Sequence, residues 1–247
     1  MAPMVWRVTH VATIDSTNEW VAARAREGAP EGTGALADFQ AAGRGRRDRR
    51  WEAPPRAALL LSLLLRPPDA VRDAHWVVAA VSLSARSALT RLCGVRPDLK
   101  WPNDLMVRDR KLGGVLAEFV TSPEPGIVVG IGVNLTAHPV GVSATDVLAE
   151  SGVTIAPRAL VDILLEELDR RLERFAAGDG REDLRREYVG ALGTLGRPVR
   201  VDLERESLEG YARDVDEDGR LVLDVGASER VVSAGDVVHL RGLEVAT

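Results

Sequence analysis

The two lysines of this chain lie close together in a sequence whose other basic residues are all arginine. Lysine and arginine total 32, and the only lysines are Lys100 and Lys111, both inside LKWPNDLMVRDRKLGGVLAEF at 99–119. An ammonium is a compact point charge on a flexible stem, whereas a guanidinium is a planar fork, so the two are not interchangeable between a carboxylate and a phosphate. The spacing indicates a site that needs an amine, although two ordinary surface lysines would give the same pattern.

A second concentration of charge lies in GRGRRDRRW at 43–51, which we call the arginine segment. Its five arginines stand among glycines in a chain of net charge −5, so any attraction for anions must be local. Glycine lets backbone amides approach a phosphate, and arginine makes bidentate bonds to phosphate or carboxylate oxygens. The spacing fits neither a P-loop nor a dinucleotide-binding fingerprint. It predicts an anion-binding loop, with a nucleic-acid contact loop as the alternative.

Polar side chains also stand where strand-like pieces begin or end. Pro102 cannot join a central ladder, so the strand containing LKW is expected to end there, with Asn103 and Asp104 at its exit. Lys111 begins the piece KLGGVLAEFV, whose glycines leave space above the sheet, and Asn134 ends GIGVN in a similar way. Functional groups often sit at strand exits, although an Asn-Asp pair also suits a turn.

The composition excludes several classes of protein. The four histidines are scattered and no HExxH or CxxC pattern exists, so a protein-only metal site is not expected. Cys93 is the single cysteine, and its apolar helical setting indicates core packing. No apolar run is long enough to span a membrane and the first ten residues do not read as a secretory signal. We therefore expect a cytoplasmic protein that does not bind a membrane.

Alternating strand-like and helical stretches predict an α/β or α+β fold. Ser16 and Glu19 fit a capping box at the start of the first helix. The apolar run at 57–65 predicts a strand buried on both faces. The other predicted strands are at 5–13, 32–42, 99–101, 111–120 and 126–135, and the helices are at 17–27, 70–93, 157–176 and 181–190.

The composition changes near GTLGRP at 193–198. Short alternating runs follow, and Asp218-Gly219 suits a hairpin between two of them. This pattern is typical of a small β-barrel. The chain is thus predicted to have two domains, at 1–193 and 194–247.

In order and spacing, these motifs resemble the catalytic domain of biotin protein ligases, and the tail from about 197 resembles the C-terminal SH3-like domain of that family. The resemblance rests on STN at 16–18, FQ at 39–40, AGRGRRDRRW at 42–51, LKWPNDL at 99–105, RKLGGVLAE at 110–118 and VGIGVNL at 129–135. It implies an α+β fold, with a mixed-sheet catalytic domain of the biotin/lipoate ligase type and a small C-terminal SH3-like β-barrel. The chain is similar to the short, monofunctional type, because the N-terminal DNA-binding module of the bifunctional repressor type has no counterpart here. One departure is Asp48, where many relatives have glycine.

The resemblance implies a ligase that works in two steps. The biotin carboxylate attacks the α-phosphate of ATP, and a lysine of a biotin carboxyl carrier protein, or of the carrier domain of a carboxylase, then takes the biotinyl group. ATP and Mg²⁺ are the implied cofactors, with Mg²⁺ arriving on the triphosphate and no metal site built by the protein alone. A homodimer is compatible with the sequence, which does not determine the oligomeric state.

The resemblance also assigns roles to residues. Lys111, Arg46 and Asp104 are the implied catalytic residues, with Asp104 a candidate either for Mg²⁺ or for orienting the incoming amine. The implied biotin contacts are Ser16, Thr17, Asn18, Gln40, Gly43, Arg44, Gly45, Arg46, Lys111 and Gly114. The implied ATP contacts are Arg46, Arg49, Trp51, Asn103, Lys111 and Asn134.

Two alternatives remain open at this stage. A lipoate or octanoate ligase is expected to share the core fold and a lysine near the carboxylate, although its thiol-dependent members need a cysteine and Cys93 lies in a predicted helix. An RNA-binding module would also use an arginine loop and a small barrel.

Overall fold

The computed structural model describes residues 4–240. Strands and helices alternate up to residue 191, and strands alone follow. In chain order the elements are β1 (Arg7–Ile14), α1 (Thr17–Arg26), β2 (Thr33–Gln40), β3 (Ala58–Leu65), α2 (Ala70–Cys93), β4 (Asp98–Lys100), β5 (Asp104–Val107), β6 (Arg110–Val120), β7 (Gly126–Asn134), α3 (Val147–Ser151), α4 (Pro157–Phe175), α5 (Gly180–Ala191), β8 (Arg197–Asp202), β9 (Ser207–Val215), β10 (Leu221–Val225), β11 (Ser228–Val232) and β12 (Asp236–His239).

The larger sheet is mixed, as predicted. Its seven strands are in the order β1-β2-β3-β7-β6-β5-β4. β1 and β2 are parallel, and the remaining neighbours are antiparallel. The capping interaction predicted at α1 is also present, because the Ser16 side chain accepts a hydrogen bond from the Glu19 amide.

Strand β3 is buried along its whole length and divides the core by the alternation of its side chains. Leu59, Leu61, Leu63 and Leu65 join the main core cluster, which contains the buried face of α2. On the opposite face Leu64 packs with residues of α1, and Leu60 packs near Trp51. Apolar side chains thus cover both faces of this strand, which explains the continuous apolar run in the sequence.

The second sheet is antiparallel, with the order β11-β10-β9-β8-β12. The five short antiparallel strands agree with the predicted small SH3-like β-barrel, although its edge strands β11 and β12 do not pair with each other within residues 4–240. Gly219 has φ +81° in the turn that joins β9 and β10, as the Asp-Gly pair predicts. The remainder of the predicted second domain, residues 241–247, lies outside the described residues.

Three details differ from the sequence-based predictions. β5 was not predicted, and it places Asp104 at the start of a strand paired with β4 instead of at a strand exit. The five-residue helix α3 was also missed, because it is too short for a helical period to be visible. Val71, which fits the apolar period of α2, is 79% exposed because it lies in the first turn of the helix.

The β9–β10 turn docks against the larger sheet through two indoles. Trp76 donates from Nε1 to the Glu217 carbonyl at 3.0 Å, and Trp101 donates from Nε1 to the Gly219 carbonyl at 3.0 Å. His75 packs edge-on against the rings of Trp76 and Tyr188. Burial lowers the pKa of His75 to about 4, so this imidazole is neutral at physiological pH. The second sheet therefore holds Trp101 in place, two residues before Asn103.

We expect Gly219→Ala to destabilise the protein more than Gly226→Ala. Both glycines have positive φ, which costs an alanine about 1–2 kcal/mol. A Cβ at Gly219 would lie 2.0 Å from the His75 ring, whereas a Cβ at Gly226 meets nothing within 4 Å. The overpacking should add about 1–3 kcal/mol to the loss in free energy of unfolding, measured with urea. Equal losses in the two variants would show that the turn does not press on His75.

Candidate functional site

One cavity of about 370 Å³ brings the sequence-predicted residues together. It lies between the start of α1, the arginine segment, strands β5 to β7 and the edge of the second sheet. The predicted site residues that line it are Ser16, Thr17, Asn18, Gln40, Arg44, Gly45, Arg46, Arg49, Trp51, Asn103, Asp104, Lys111 and Gly114. These residues span about a hundred positions of the chain, so their convergence depends on the tertiary fold.

Two predicted residues do not line the cavity. Gly43 closes the base of the arginine segment, where its carbonyl accepts from the Trp51 amide at 3.0 Å. Asn134 is buried and donates from Nδ2 to the Thr145 carbonyl at 2.9 Å, while its Oδ1 has no hydrogen-bond partner. The roles of both residues in ligand binding stay predictions.

The inner end of the cavity is polar and already hydrogen-bonded. Gln40 Oε1 accepts from both the amide and the hydroxyl of Thr17, at 2.8 Å each, so the Gln40 NH₂ group is left as a donor. Ser62, which is fully buried on β3, lies 2.7 Å from Thr17 Oγ1 and 2.6 Å from Asn18 Oδ1. This end therefore offers hydroxyl and amide groups whose orientations are set before a ligand arrives.

Two glycines of β7 leave space for the side chains that form the walls of the cavity. A Cβ at Gly130 would lie 2.0 Å from Asn18 Oδ1, and a Cβ at Gly132 would lie 2.5 Å from the Trp51 indole. The indole therefore lies directly on the backbone of β7. Its Nε1 is buried without a hydrogen-bond partner, which leaves a donor in the cavity wall. Gly130 and Gly132 line the cavity, and larger side chains at these positions would displace Asn18 and Trp51.

Lys111 and Asp104 meet at the other end of the cavity. Lys111 Nζ lies 2.6 Å from Asp104 Oδ1, and a Cβ at Gly114 would touch both side chains at 3.3 Å. Lys100 also lines this end, with no ion pair to any side chain in the part of the chain that the structure describes. Burial lowers the pKa of Lys100, and the nearby Asp104 carboxylate opposes that shift. A partly buried amine that has no ion-pair partner can bind an anionic ligand.

Two carboxylates hold the arginine segment against the cavity. Arg44 Nη2 lies 2.8 Å from Glu118 Oε1 at the start of the segment. Asp236 of β12 pairs with Arg47 at 3.3 Å, with Arg46 at 3.8 Å and with Arg49 in a shorter contact. Four guanidinium groups that could bind an external anion thus pair with only two carboxylates, because Arg46, Arg47 and Arg49 share Asp236.

Arg46 is the most enclosed of these guanidinium groups. It donates to Asn103 Oδ1 at 3.1 Å and to the Gly235 carbonyl at 3.2 Å. Burial lowers the pKa of Arg46, while the charges of Asp236 and Asp104 act in the opposite direction. The tip of the segment is tightly turned, because Arg47 and Asp48 have φ +52° and +58°. Glycine is favoured in this conformation, and aspartate is one of the few other residues that tolerates it.

The second sheet supplies wall residues that no sequence motif indicated. They are Asp202, Asp236, Val237 and Val238. Lys100 was noted in the sequence but received no role. The carboxylates among these residues lie on strands with ordinary alternation, so no local signal distinguishes them from solvated surface positions.

The cavity is built to hold an elongated acid and to neutralise negative charge at one end. A metal site made by the protein alone is absent from residues 4–240, because no cluster of three histidine, cysteine, aspartate or glutamate side chains could hold an ion. In the same residues, no helix is sufficiently long and apolar to cross a membrane.

Comparison with known proteins agrees with this geometry. The profile of the Biotin/lipoate A/B protein ligase family matches residues 11–134, and that of the Biotin protein ligase C terminal domain matches residues 194–240. The biotin–[acetyl-CoA-carboxylase] ligase of Mycobacterium tuberculosis is 40% identical over 246 residues, which cover 96% of this chain and 90% of that protein. This chain belongs to the biotin protein ligase family.

Other members of the family show how far the similarity extends. The bifunctional ligase/repressor BirA of Escherichia coli is 31% identical over 88% of this chain and 69% of its own length. The biotin protein ligase from Aquifex aeolicus, solved in complex with biotin and ATP, has a TM-score of 0.81 at 23% identity, covering 96% of this chain and 99% of that one. The latter likeness supports the fold.

We expect Asp236→Asn to loosen the arginine segment. The substitution removes the charge that three guanidinium groups share, so the segment should open more often. If the closed segment loses about 1–1.4 kcal/mol of stabilisation, trypsin should cut between 44 and 50 about five- to tenfold faster. Cleavage can be followed by mass spectrometry. Asp224→Asn, which breaks a pair with Arg213 on the same sheet, is the matched control. An unchanged cleavage rate in Asp236→Asn would contradict the proposed anchoring.

Proposed function

We propose that this chain is an ATP-dependent ligase that activates biotin as biotinyl-5′-AMP and transfers it to a lysine of a biotin carboxyl carrier protein or domain. The 40% identity to the M. tuberculosis biotin–[acetyl-CoA-carboxylase] ligase over nearly the full length of both proteins supports this activity. The observation on which the mechanism rests is the cavity itself. Its polar inner end suits a ureido ring, and its cationic outer end suits a carboxylate beside a phosphate.

The inner end would hold the ring of biotin. A ureido group has one acceptor and two donors, and Ser16, Thr17, Asn18 and Gln40 offer hydroxyl and amide partners for both kinds of atom. The apolar tail would then run over Gly130 and Gly132, where the sheet has no side chains, towards Lys111. This polar inner end favours biotin over the lipoyl chain of the alternative ligase, which has no N–H donor.

The outer end would bring two anions together. In the first step a biotin carboxylate oxygen attacks the α-phosphorus of ATP, and the bond to pyrophosphate breaks. Lys111 would lie between the two acids and stabilise the charge that develops, while Asp104 fixes its position through the 2.6 Å contact. Arg46 and Arg49 would neutralise the phosphates once the nucleotide replaces Asp236 as their partner.

Asn103 and Trp51 complete the proposed nucleotide site. Asn103 already positions Arg46, and the indole of Trp51 has an apolar face against β7 and a free donor. The residues also fit Mg²⁺ bound to the triphosphate, because Asp104 and Asp236 supply carboxylate oxygens to the cavity wall. Asp104 and Asp236 are the residues that would hold the ion, which would supply neutralisation of phosphate charge.

In the second step the amine of the carrier lysine attacks the biotinyl carbonyl and AMP leaves. The arginine segment would cover the adenylate until then and exclude water. The two-domain division at 1–193 and 194–247 would serve this step, since the second domain supplies Asp236. A cytoplasmic location and a homodimer remain predictions from the sequence.

A direct assay tests the proposed activity. Incubation of the protein with ATP, Mg²⁺, biotin and the carrier domain of acetyl-CoA carboxylase should add one biotinyl group to the carrier, seen as a mass increase. The group should be absent when the acceptor lysine is replaced by arginine or when lipoate replaces biotin. Transfer of lipoate in preference to biotin would overturn the assignment.

Lys111→Arg should retain the fold and lose biotin-dependent ATP–pyrophosphate exchange. The guanidinium can still pair with Asp104, but it delivers its charge through a planar fork and not at one point. Removing one transition-state charge contact costs about 3–4 kcal/mol, which is about two to three powers of ten in rate. Circular dichroism and the melting temperature check the fold. Near-normal exchange would remove Lys111 from its assigned role.

A further inference from the structure

Glu118 is outside the cavity wall, yet both of its carboxylate oxygens contact residues that line it. Oε2 accepts from Asn18 Nδ2 at 2.7 Å, and Oε1 lies 2.8 Å from Arg44 Nη2. The side chain is 27% exposed and extends from β6, which places it between the start of α1 and the arginine segment. One carboxylate thus contacts both the polar inner end of the cavity and the arginine segment that covers it.

The Asn18 amide has only one orientation that satisfies these neighbours. A carboxylate can only accept hydrogen bonds, so the NH₂ group of Asn18 must face Glu118, and the Leu116 carbonyl lies 3.4 Å from the same nitrogen. The oxygen of Asn18 is then directed to the Ser62 hydroxyl and the backbone at Gly130. Because Asn18 and Ser62 are both buried, a rotated amide would leave unpaired polar atoms without water to compensate them.

We propose that Glu118 is a positioning residue that sets which end of the Asn18 amide a ligand meets and also tethers Arg44. The inference rests on the proposed function. Asn18 lines the cavity, and its Oδ1, which accepts from the Ser62 hydroxyl, has a second lone pair for an N–H donor of a ligand, such as a ureido ring offers. The reversed amide would direct its own N–H groups at those of the ligand. Glu118 thereby selects an acid with a ureido ring over an acid with a plain hydrocarbon or dithiolane end.

The second carboxylate oxygen of Glu118 links the orientation of the Asn18 amide to the arginine segment. Contacts run from Ser62 through Asn18 and Glu118 to Arg44, so the first arginine of the segment is held by the same carboxylate that orients the amide. Glu118→Gln removes the charge, so it should free Arg44, but its side-chain oxygen still accepts a hydrogen bond from Asn18. The two functions of Glu118 are therefore separable by substitution.

Glu118→Met tests the amide. It has similar length and no acceptor, so the KM for biotin in ATP–pyrophosphate exchange should rise about tenfold, the usual effect of one lost bond to a charged group, while kcat and the KM for ATP stay within about twofold. Glu118→Gln restores an acceptor and should return the KM for biotin to within about threefold of the parent value. An unchanged KM for biotin in Glu118→Met, or equal changes in the KM for ATP, would overturn the amide role.

Glu118→Gln and Arg44→Gln together test the tether. Each alone should speed the release of biotinyl-5′-AMP about fivefold, and the double variant should be no faster than either, because both break the same ion pair. Multiplied effects in the double variant, or no effect of Glu118→Gln, would overturn the tether. If Glu118→Met does not fold, as judged by circular dichroism, Glu118→Leu, which also lacks an acceptor, takes its place in the test of the amide.

Glu124→Gln is the matched control. It breaks an arginine pair, with Arg66 at 3.4 Å, in the turn between β6 and β7 and away from the cavity, so exchange and release should not change. Biotin-dependent exchange measured in the parent protein distinguishes a failure of this inference from a failure of the proposed function. Absence of biotin-dependent exchange in the parent would overturn the ligase assignment, whereas normal exchange with unaffected Glu118 variants would overturn only the role of Glu118.

Discussion

The structure depends on the balance of charge around a small cavity. A carboxylate and a triphosphate repel each other, and they can react only where fixed cations offset that repulsion. The same cations also repel one another. Asp104, Glu118 and Asp236 prevent this by pairing with Lys111, Arg44 and the tip of the arginine segment. Each carboxylate therefore holds a cation in the wall of the cavity where we propose that the substrate binds.

This arrangement makes the second sheet part of the site. Asp236 reaches the arginine segment from β12, while the β9–β10 turn supports Trp101 and the residues that follow it. A displacement of the second sheet would therefore disturb the cover and the reacting end together. The two regions are far apart in sequence, and the coupling between them consists of identifiable contacts: one carboxylate and two indole hydrogen bonds.

Small residues decide where the substrate can lie. Leu60 and Ser62 of β3 and Gly130 and Gly132 of β7 share one face of the sheet, and only the short side chains leave space for Asn18 and Trp51. The opposite face of β3 carries leucines that pack on α2. Alternation along a strand thus places the stable core on one side of the sheet and the ligand cavity on the other.

Most of the fold could be predicted from local pattern. The long helices, the buried strand at 57–65 and the hairpin at Asp218-Gly219 were predicted because period, capping and turn residues act over a few positions. The order and spacing of the motif residues resemble a known family, and most of these residues line one cavity, while their roles in binding stay predictions. β5 and α3 were not predicted, because each is too short to show a period.

Contacts between distant parts of the chain could not be obtained in this way. Asp236 looks like an ordinary polar position on an alternating strand, and Glu118 ends the motif at 110–118 without receiving a role from it. The fold gives both residues their importance by placing them 2.8–3.3 Å from guanidinium groups. The order of the strands and the open edge of the second sheet also depend on contacts between distant parts of the chain. Residue type and spacing determine which groups are available for chemistry, whereas packing determines which charges meet, because Coulomb energy depends on distance in space and not on separation along the chain.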